Sequence, residues 1–187
     1  SKGGVISSFK SHCGGLVAPE SDDNPWHYKI SWNPRNVVLA GKSGADYKEH
    51  NAILHKSYEG LFTHCNIVPI DGLTDLACYP NRDSLSYIPV YKLQSAQTFI
   101  RTTLRYPIFC IGWDAIVQAG LTNDTDTIDT NGLTYASWSA AVIPFVNDIN
   151  KSLLSYLGLF DDLPVLPAAK TSADILQYLL ESKLIMK

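Results

Sequence analysis

No apolar run in this sequence approaches the roughly 18–20 residues that span a bilayer, and no apolar core follows Ser1-Lys2-Gly3-Gly4 to serve as a signal peptide. A cytoplasmic protein is the simplest expectation. Surplus positive charge is missing as well. Fifteen Lys and Arg against 18 Asp and Glu leave a formal charge of -3, which gives no electrostatic reason to bind nucleic acid or an anionic membrane. The four cysteines, Cys13, Cys65, Cys78 and Cys110, are scattered with no Cys-x-x-Cys pair. Reduced thiols are expected rather than a disulfide framework. His64-Cys65 lacks the second ligand pair of a zinc site, so no metal is expected. No Gly-x-Gly-x-x-Gly occurs. Gly14-Gly15 has no third glycine, and Pro19 and Pro25 break any helix that should follow it. Gly41-Lys42-Ser43 resembles the end of a phosphate-binding loop, but the upstream glycine that the loop needs is Asn36 here. Neither NAD nor NADP has a binding site legible in this chain.

What is present is the material of one globular domain. A length of 187 residues, 45% hydrophobic and 18% charged, supports a single domain over residues 1–187 with a proper core. Alternation around Val5–Phe9 predicts a strand running towards Cys13, followed by loop chemistry to His27. Asn33, Pro34 and Gly41 mark the cap, first position and end of a short helix. Asp46–Lys56 reads as a hairpin turning near Glu49-His50-Asn51, and Leu73–Tyr79 and Thr98–Tyr106 as further strands. The second half is helical. Pro107 opens a helix with Ile108, Ile111, Ala115 and Ile116 at helical spacing, closed by Gly120. Trp138, Val142, Phe145, Ile149 and Leu153 mark a second helix, bent at Pro144. Thr171 and Asp174 cap a third, whose buried stripe is Ile175, Leu176, Leu179 and Leu180. Strands early and helices late predict an α+β fold, a mixed β-sheet covered by helices on one face.

The strand at Thr98–Tyr106 carries the most chemistry. Alternation places Phe99, Arg101, Thr103 and Arg105 on one face, and Ile100, Leu104 and Tyr106 on the core face. The two guanidinium groups stand roughly 13 Å apart along the backbone with a hydroxyl between them. Arginine grips carboxylates with a rigid, permanently charged fork, so this face suits a ligand with several carboxylates. The plainer reading, pairing with internal acids such as Asp83, is equally open on the pattern alone. Tyr79-Pro80-Asn81-Arg82-Asp83-Ser84 reads as a polar turn at a strand end. Cys13 stands at a strand end beside two glycines that permit close backbone approach. His12 points to the other side of the strand, which argues against a Cys–His catalytic pair.

Taken together, these stretches resemble the saccharopine dehydrogenase family, in particular its glutamate-forming branch. The family reads Cys-Gly-Gly-Leu-Pro-Ala-Pro-Glu, then Asp-Asn-Pro, then Ser-Trp. This sequence has Cys13-Gly14-Gly15-Leu16-Val17-Ala18-Pro19-Glu20, Asp23-Asn24-Pro25 and Ser31-Trp32. Tyr79–Ser84 matches the family hexapeptide in full, and Arg101-Thr102-Thr103-Leu104-Arg105-Tyr106 matches Arg-Gly-Thr-Leu-Arg-Tyr with one change. Leu157-Gly158-Leu159-Phe160 and Asp174-Ile175-Leu176 continue the likeness. His12 replaces the family's usual tyrosine, Val17 a proline and Thr102 a glycine.

The resemblance implies a parent enzyme of lysine metabolism. Its Rossmann domain holds NAD or NADP, and an inserted α+β domain holds saccharopine, a tricarboxylate amino acid. The parent would interconvert saccharopine with glutamate and 2-aminoadipate 6-semialdehyde. This sequence would begin after the glycine motif and stop before the chain returns, and is expected to be inactive alone and to lack a cofactor. The same likeness makes Cys13 a lining residue and Arg82 and Thr103 saccharopine contacts. Arg105 joins them by its shared face and Trp32 by its neighbouring loop. No catalytic residue is assigned. The expected partners are saccharopine, the parent's missing Rossmann domain and a second copy in a homo-oligomer. A sister enzyme making carboxynorspermidine and a non-catalytic binding or scaffolding module are the alternatives. The paired arginines and intact hexapeptide disfavour the first, and an upstream nucleotide-binding segment would exclude the second.

Overall fold

The computed structural model describes residues 3–143 and 147–186. The elements in chain order are β1 (Ser8–Cys13), α1 (Pro34–Val38), β2 (Ala45–Glu49), β3 (Ala52–Lys56), α2 (Tyr58–Leu61), β4 (Asn66–Val68), β5 (Leu76–Pro80), α3 (Tyr87–Val90), β6 (Thr98–Arg105), α4 (Pro107–Gln118), α5 (Tyr135–Val142), α6 (Asp148–Leu157) and α7 (Ser172–Leu184). They fall into two compact units. The first is Ser1–Leu16 with Gly41–Cys110, and the second is Val17–Ala40 with Ile111–Lys187. The class is α+β, with a mixed sheet.

All six described strands lie in the first unit, in one sheet built around β6. β1 runs parallel to β6 in the register Ser8↔Thr98 to Cys13↔Thr103. β5 pairs antiparallel with β6 from Ala77↔Arg105 to Pro80↔Thr102, and β2 touches it at Lys48↔Phe99. Since β1 takes residues 98–103 along one edge, β5 and β2 must share the other. β4 extends the sheet beyond β5, and β3 beyond β2. The β2–β3 turn has His50 and Asn51 at φ 47° and 66°, the left-handed pair that a two-residue hairpin matching strand twist requires.

Where β5 leaves β6 before β2 arrives, the polar hexapeptide fills the gap. The Asn81 N–H donates to the Arg101 carbonyl at 2.9 Å, and the Arg101 N–H donates to Ser84 Oγ at 3.0 Å. Ser84 then donates its own N–H to the Asp46 carbonyl at 2.8 Å, and the Asp46 N–H donates to the Arg82 carbonyl at 3.1 Å. Arg82 makes the turn at φ 51°, a conformation uncommon for a non-glycine residue. Ser84 is fully buried. The hexapeptide is therefore more than a solvated turn: it stitches two strands to the central one and satisfies both backbone groups of Arg101 on that edge.

Alternation along β6 holds from Ile100 onward, with Ile100, Thr102 and Leu104 buried and Arg101, Thr103 and Arg105 half-buried. Leu104 packs with Leu76 and Cys78 under Leu16, Val68, Ile70 and Tyr106. Phe99 departs from expectation. It shares parity with the arginines yet is buried, because Phe9 stacks on it at 4.7 Å and Tyr91 closes over both rings. β1 also starts later than expected, leaving Val5 and Ile6 exposed.

The second unit is helical. Asn33 caps α1 by accepting from the Arg35 N–H. Trp26 is fully buried, donates Nε1–H to the Leu153 carbonyl at 3.0 Å and meets Trp113 edge-on. A Cβ on Gly112 would stand 2.7 Å from the Trp26 ring and 2.8 Å from Leu153, so close packing fixes that glycine. On α4 the buried positions are Phe109, Cys110, Trp113, Ile116 and Val117, while Ile111 is exposed. The large aromatic surfaces turn the helix away from the expected Ile108/Ile111 stripe. α5 and α6 are separate helices, each with its own cap, Thr134 and Asn147, in place of one bent helix. Ile149 is exposed, and Pro144 and Phe145 lie outside the described residues. α7 has the reciprocal Thr171–Asp174 capping box and buries Ile175, Leu176, Leu179 and Leu180. Burying each such side chain contributes about 1.5–3 kcal/mol. Beyond α7, Met186 donates its N–H to the Ile30 carbonyl.

Candidate functional site

The parallel register brings Cys13, at the exposed end of β1, beside Thr103 on β6. Register partners share a sheet face, and Arg105 lies two residues further along that face. Immediately after Cys13 the backbone crosses β6. A Cβ on Gly14 would sit 2.3 Å from the Leu104 carbonyl oxygen, so only glycine fits there. Gly15 then offers its carbonyl to Arg105 Nη1 at 3.2 Å, and the Leu104 carbonyl accepts from the same nitrogen at 2.9 Å. The guanidinium carbon lies 5.6 Å from the Phe109 ring centroid. Two neutral carbonyls and a ring thus help to orient this cation, and a guanidinium fork is the group that grips a carboxylate.

Arg101 is engaged differently. Its guanidinium lies over the Tyr87 ring, 4.0 Å from the centroid, and it acts on Asp83. Desolvation pushes the Asp83 carboxyl up, but the Ser86 hydroxyl, the Ser86 and Leu85 N–H groups and Arg101 outweigh it and hold the group below its ordinary value. Arg101 is thus engaged with the Tyr87 ring, and its charge helps to hold the Asp83 carboxyl down. Arg82 is exposed, and its side chain has no partner among the described residues. Through Asn81 and Ser84 it is anchored at the Arg101 position of β6, four residues from Arg105, or roughly 13 Å of strand. Cys13, Thr103 and Arg105 thus form one cluster, with Arg82 further along the same sheet. Trp32 belongs to the other unit and is 49% exposed, two residues after Ile30.

His12 faces the opposite side from Cys13, as strand parity requires, and its Nδ1 is 2.7 Å from the Thr102 hydroxyl. Burial pushes the Cys78 thiol up, against a hydrogen bond with Thr102 that lowers it, so Cys78 is a packing group and not a nucleophile. The roles of Ser84 and Tyr87 had no signal in the sequence, because both depend on where β5 and β2 register along β6. The second unit holds a cavity of about 230 Å³ lined by Tyr135, Val165, Leu166, Tyr178 and Glu181, among others; none of the expected site residues lines it. Among the described residues no group of three His, Cys, Asp or Glu side chains could hold a metal ion, and no helix is long and apolar enough to cross a membrane.

Comparison with known proteins adds the following. The profile of the family described as saccharopine dehydrogenase C-terminal domain matches residues 1–187. The Saccharomyces cerevisiae saccharopine dehydrogenase [NADP(+), L-glutamate-forming] is 42% identical over 122 residues, which is 65% of this chain and 27% of that protein. The mitochondrial alpha-aminoadipic semialdehyde synthase of Mus musculus is 38% identical over 124 residues, 65% of this chain and 13% of that protein. Among solved structures, the apo histidine-tagged saccharopine dehydrogenase (L-Glu forming) from Saccharomyces cerevisiae superimposes with a TM-score of 0.83 at 31% identity. That match covers 98% of this chain and 46% of the other. The chain therefore spans about a quarter or less of the length of these two curated relatives.

Proposed function

The chain belongs to the family of saccharopine dehydrogenase C-terminal domains, and we propose that it is the substrate-binding domain of an oxidoreductase of lysine metabolism. The parent interconverts saccharopine with glutamate and 2-aminoadipate 6-semialdehyde, using NADP or NAD. The observation that carries this reading is the cluster at the ends of β1 and β6. Arg105 is held there by neutral carbonyls beside Thr103 and Cys13, and Arg82 is exposed further along the same sheet. Saccharopine has three carboxylates, and each of the two arginine forks can take one of them.

In this reading the nicotinamide supplies and accepts the hydride, and its site lies outside this chain. Residues 1–187 act as one substrate domain. Arg82 and Arg105 grip carboxylates, Thr103 donates or accepts a hydrogen bond, Cys13 lines the site, and no catalytic residue is assigned. The isolated chain is inactive, works in the cytoplasm with the rest of its parent, and self-associates in a homo-oligomer. The test is turnover by the full-length protein that contains this chain. Saccharopine-dependent reduction of NADP or NAD, with glutamate released in equal amount, is the expected result. A full-length protein that turns over neither cofactor with saccharopine contradicts it.

A further inference from the structure

The cavity of the second unit, about 230 Å³, is lined along α7 by Asp174, Tyr178 and Glu181, which recur at helical spacing. Facing them are Tyr135, the first residue of α5, and the apolar segment 165–169. The Tyr135 N–H donates to the Leu163 carbonyl at 3.0 Å and the Val165 N–H to the Leu133 carbonyl at 2.9 Å, so this wall is fixed before any ligand arrives. Asp174 is spent within the fold: Oδ1 accepts from Arg35 at 2.9 Å, and Oδ2 from the Lys170 and Thr171 N–H groups at 3.0 Å each. Glu181 is not. It accepts from Gln177 Nε2, a neutral donor, at 2.8 Å, and no cation pairs with it among the described residues. Tyr135 is 5% exposed, and its hydroxyl makes no hydrogen bond among the described residues. Burial and the neighbouring Tyr178 phenol push that hydroxyl above its ordinary value, so it stays protonated at neutral pH.

These groups select a ligand by charge and shape. A nearly buried hydroxyl without a partner costs stability, so the cavity favours an occupant that bonds it. Glu181 calls for a positive charge, and the tyrosine rings attract a cation as well. With no Lys, Arg or His in its lining, the cavity offers an anion or a zwitterion no counter-charge. Val165, Leu166, Ala168, Ala169 and Ile175 supply an apolar wall that a bare ion cannot use. A cavity of about 150 Å³ holds benzene, so this one has room for a ring and a short charged arm. We propose that the cavity binds a small primary ammonium carrying one ring or an equivalent apolar body. The three N–H groups of the ammonium go to Glu181 and to the oxygens of Tyr135 and Tyr178, and the body lies against the apolar wall.

The experiment titrates the isotope-labelled chain with benzylamine, benzyl alcohol and benzoate at neutral pH and follows backbone amide shifts by NMR. Benzylamine should give saturable shifts centred on residues 165–169 and on Gln177, Tyr178 and Glu181. Benzyl alcohol has the same ring and no charge. It should bind at least about tenfold more weakly, since a hydrogen bond to a charged group contributes about one to two orders of magnitude in affinity. Benzoate should not bind. Glu181→Gln should bring benzylamine down to the affinity of the alcohol, and Tyr135→Phe should weaken it about two- to tenfold; the amide spectrum of each variant shows that it is folded. The proposal is overturned by the absence of saturable shifts, by shifts centred elsewhere, or by an affinity for the alcohol or for benzoate that equals the affinity for the amine. Those comparisons are made on the unaltered chain, so the outcome does not depend on a variant folding.

Discussion

Replacing Ser84 with alanine removes one hydroxyl from the point where three strands meet. The Arg101 N–H donates to Ser84 Oγ at 3.0 Å, and Ser84 is fully buried. Water cannot readily take the lost oxygen's place, so the variant leaves a buried backbone donor unsatisfied. That costs about 1–3 kcal/mol. For a chain of 150–250 residues each kcal/mol moves the melting temperature by about 2–4 °C, so the expected fall is about 2–12 °C. Thermal unfolding followed by circular dichroism measures the fall, and amide hydrogen exchange locates it. The Arg101 amide should lose protection first, while the Thr103 and Arg105 amides on the same edge, where β5 is paired, should change little. An Ser84→Ala protein with an unchanged melting temperature and an equally protected Arg101 amide refutes the account of the hexapeptide as the stitch between β5 and β2.

Gly112→Ala should destabilise the protein by about 1–3 kcal/mol, the usual cost of overpacking, because the added methyl meets Trp26 and Leu153, both buried. Denaturant unfolding should show a lower midpoint and a changed Trp26 environment by fluorescence. Partial burial pushes the Asp174 carboxyl up, but the Lys170 N–H, the Thr171 hydroxyl and N–H and the Arg35 guanidinium outweigh it, holding the group below its ordinary value. A depressed carboxyl stabilises the fold above its unfolded pKa and loses that contribution as pH falls through its folded one. Melting temperature should therefore drop as pH falls below about 4, and Asp174→Asn should flatten that limb while lowering stability at neutral pH. Calorimetric titration of the chain with NAD and NADP should show no binding to either; micromolar affinity would overturn the view that the nucleotide site lies elsewhere in the parent.

Several elements were legible because their signals are local. α7 is announced by Thr171 and Asp174 as a capping box and by a four-residue apolar stripe. The β2–β3 hairpin is announced by His50-Asn51 between alternating segments, since two left-handed residues are what such a turn demands. β4, α2 and α3 have three or four residues each and owe their existence to tertiary pairing, so no periodicity could reveal them. Phe99 shows the limit of alternation. Parity gives a residue's face, but its cover comes from Phe9 and Tyr91, which are distant in sequence. The two arginines of β6 looked equivalent in sequence. They differ because Tyr87 lies beneath one and the Gly15 carbonyl beside the other, a distinction set by which loop crosses each end of the strand.

The most direct test of the central claim measures saccharopine affinity and melting temperature together on full-length proteins carrying Arg82→Ala or Arg105→Ala. Losing a hydrogen bond to a charged group costs about 1.5–3 kcal/mol, or about one to two orders of magnitude in affinity. Each variant should weaken saccharopine by that factor and leave NADP binding unchanged, and Arg105→Lys should recover only part of the loss, since an ammonium cannot reproduce the fork. A lower melting temperature with undiminished saccharopine affinity in the folded fraction contradicts the assignment of that arginine to the substrate.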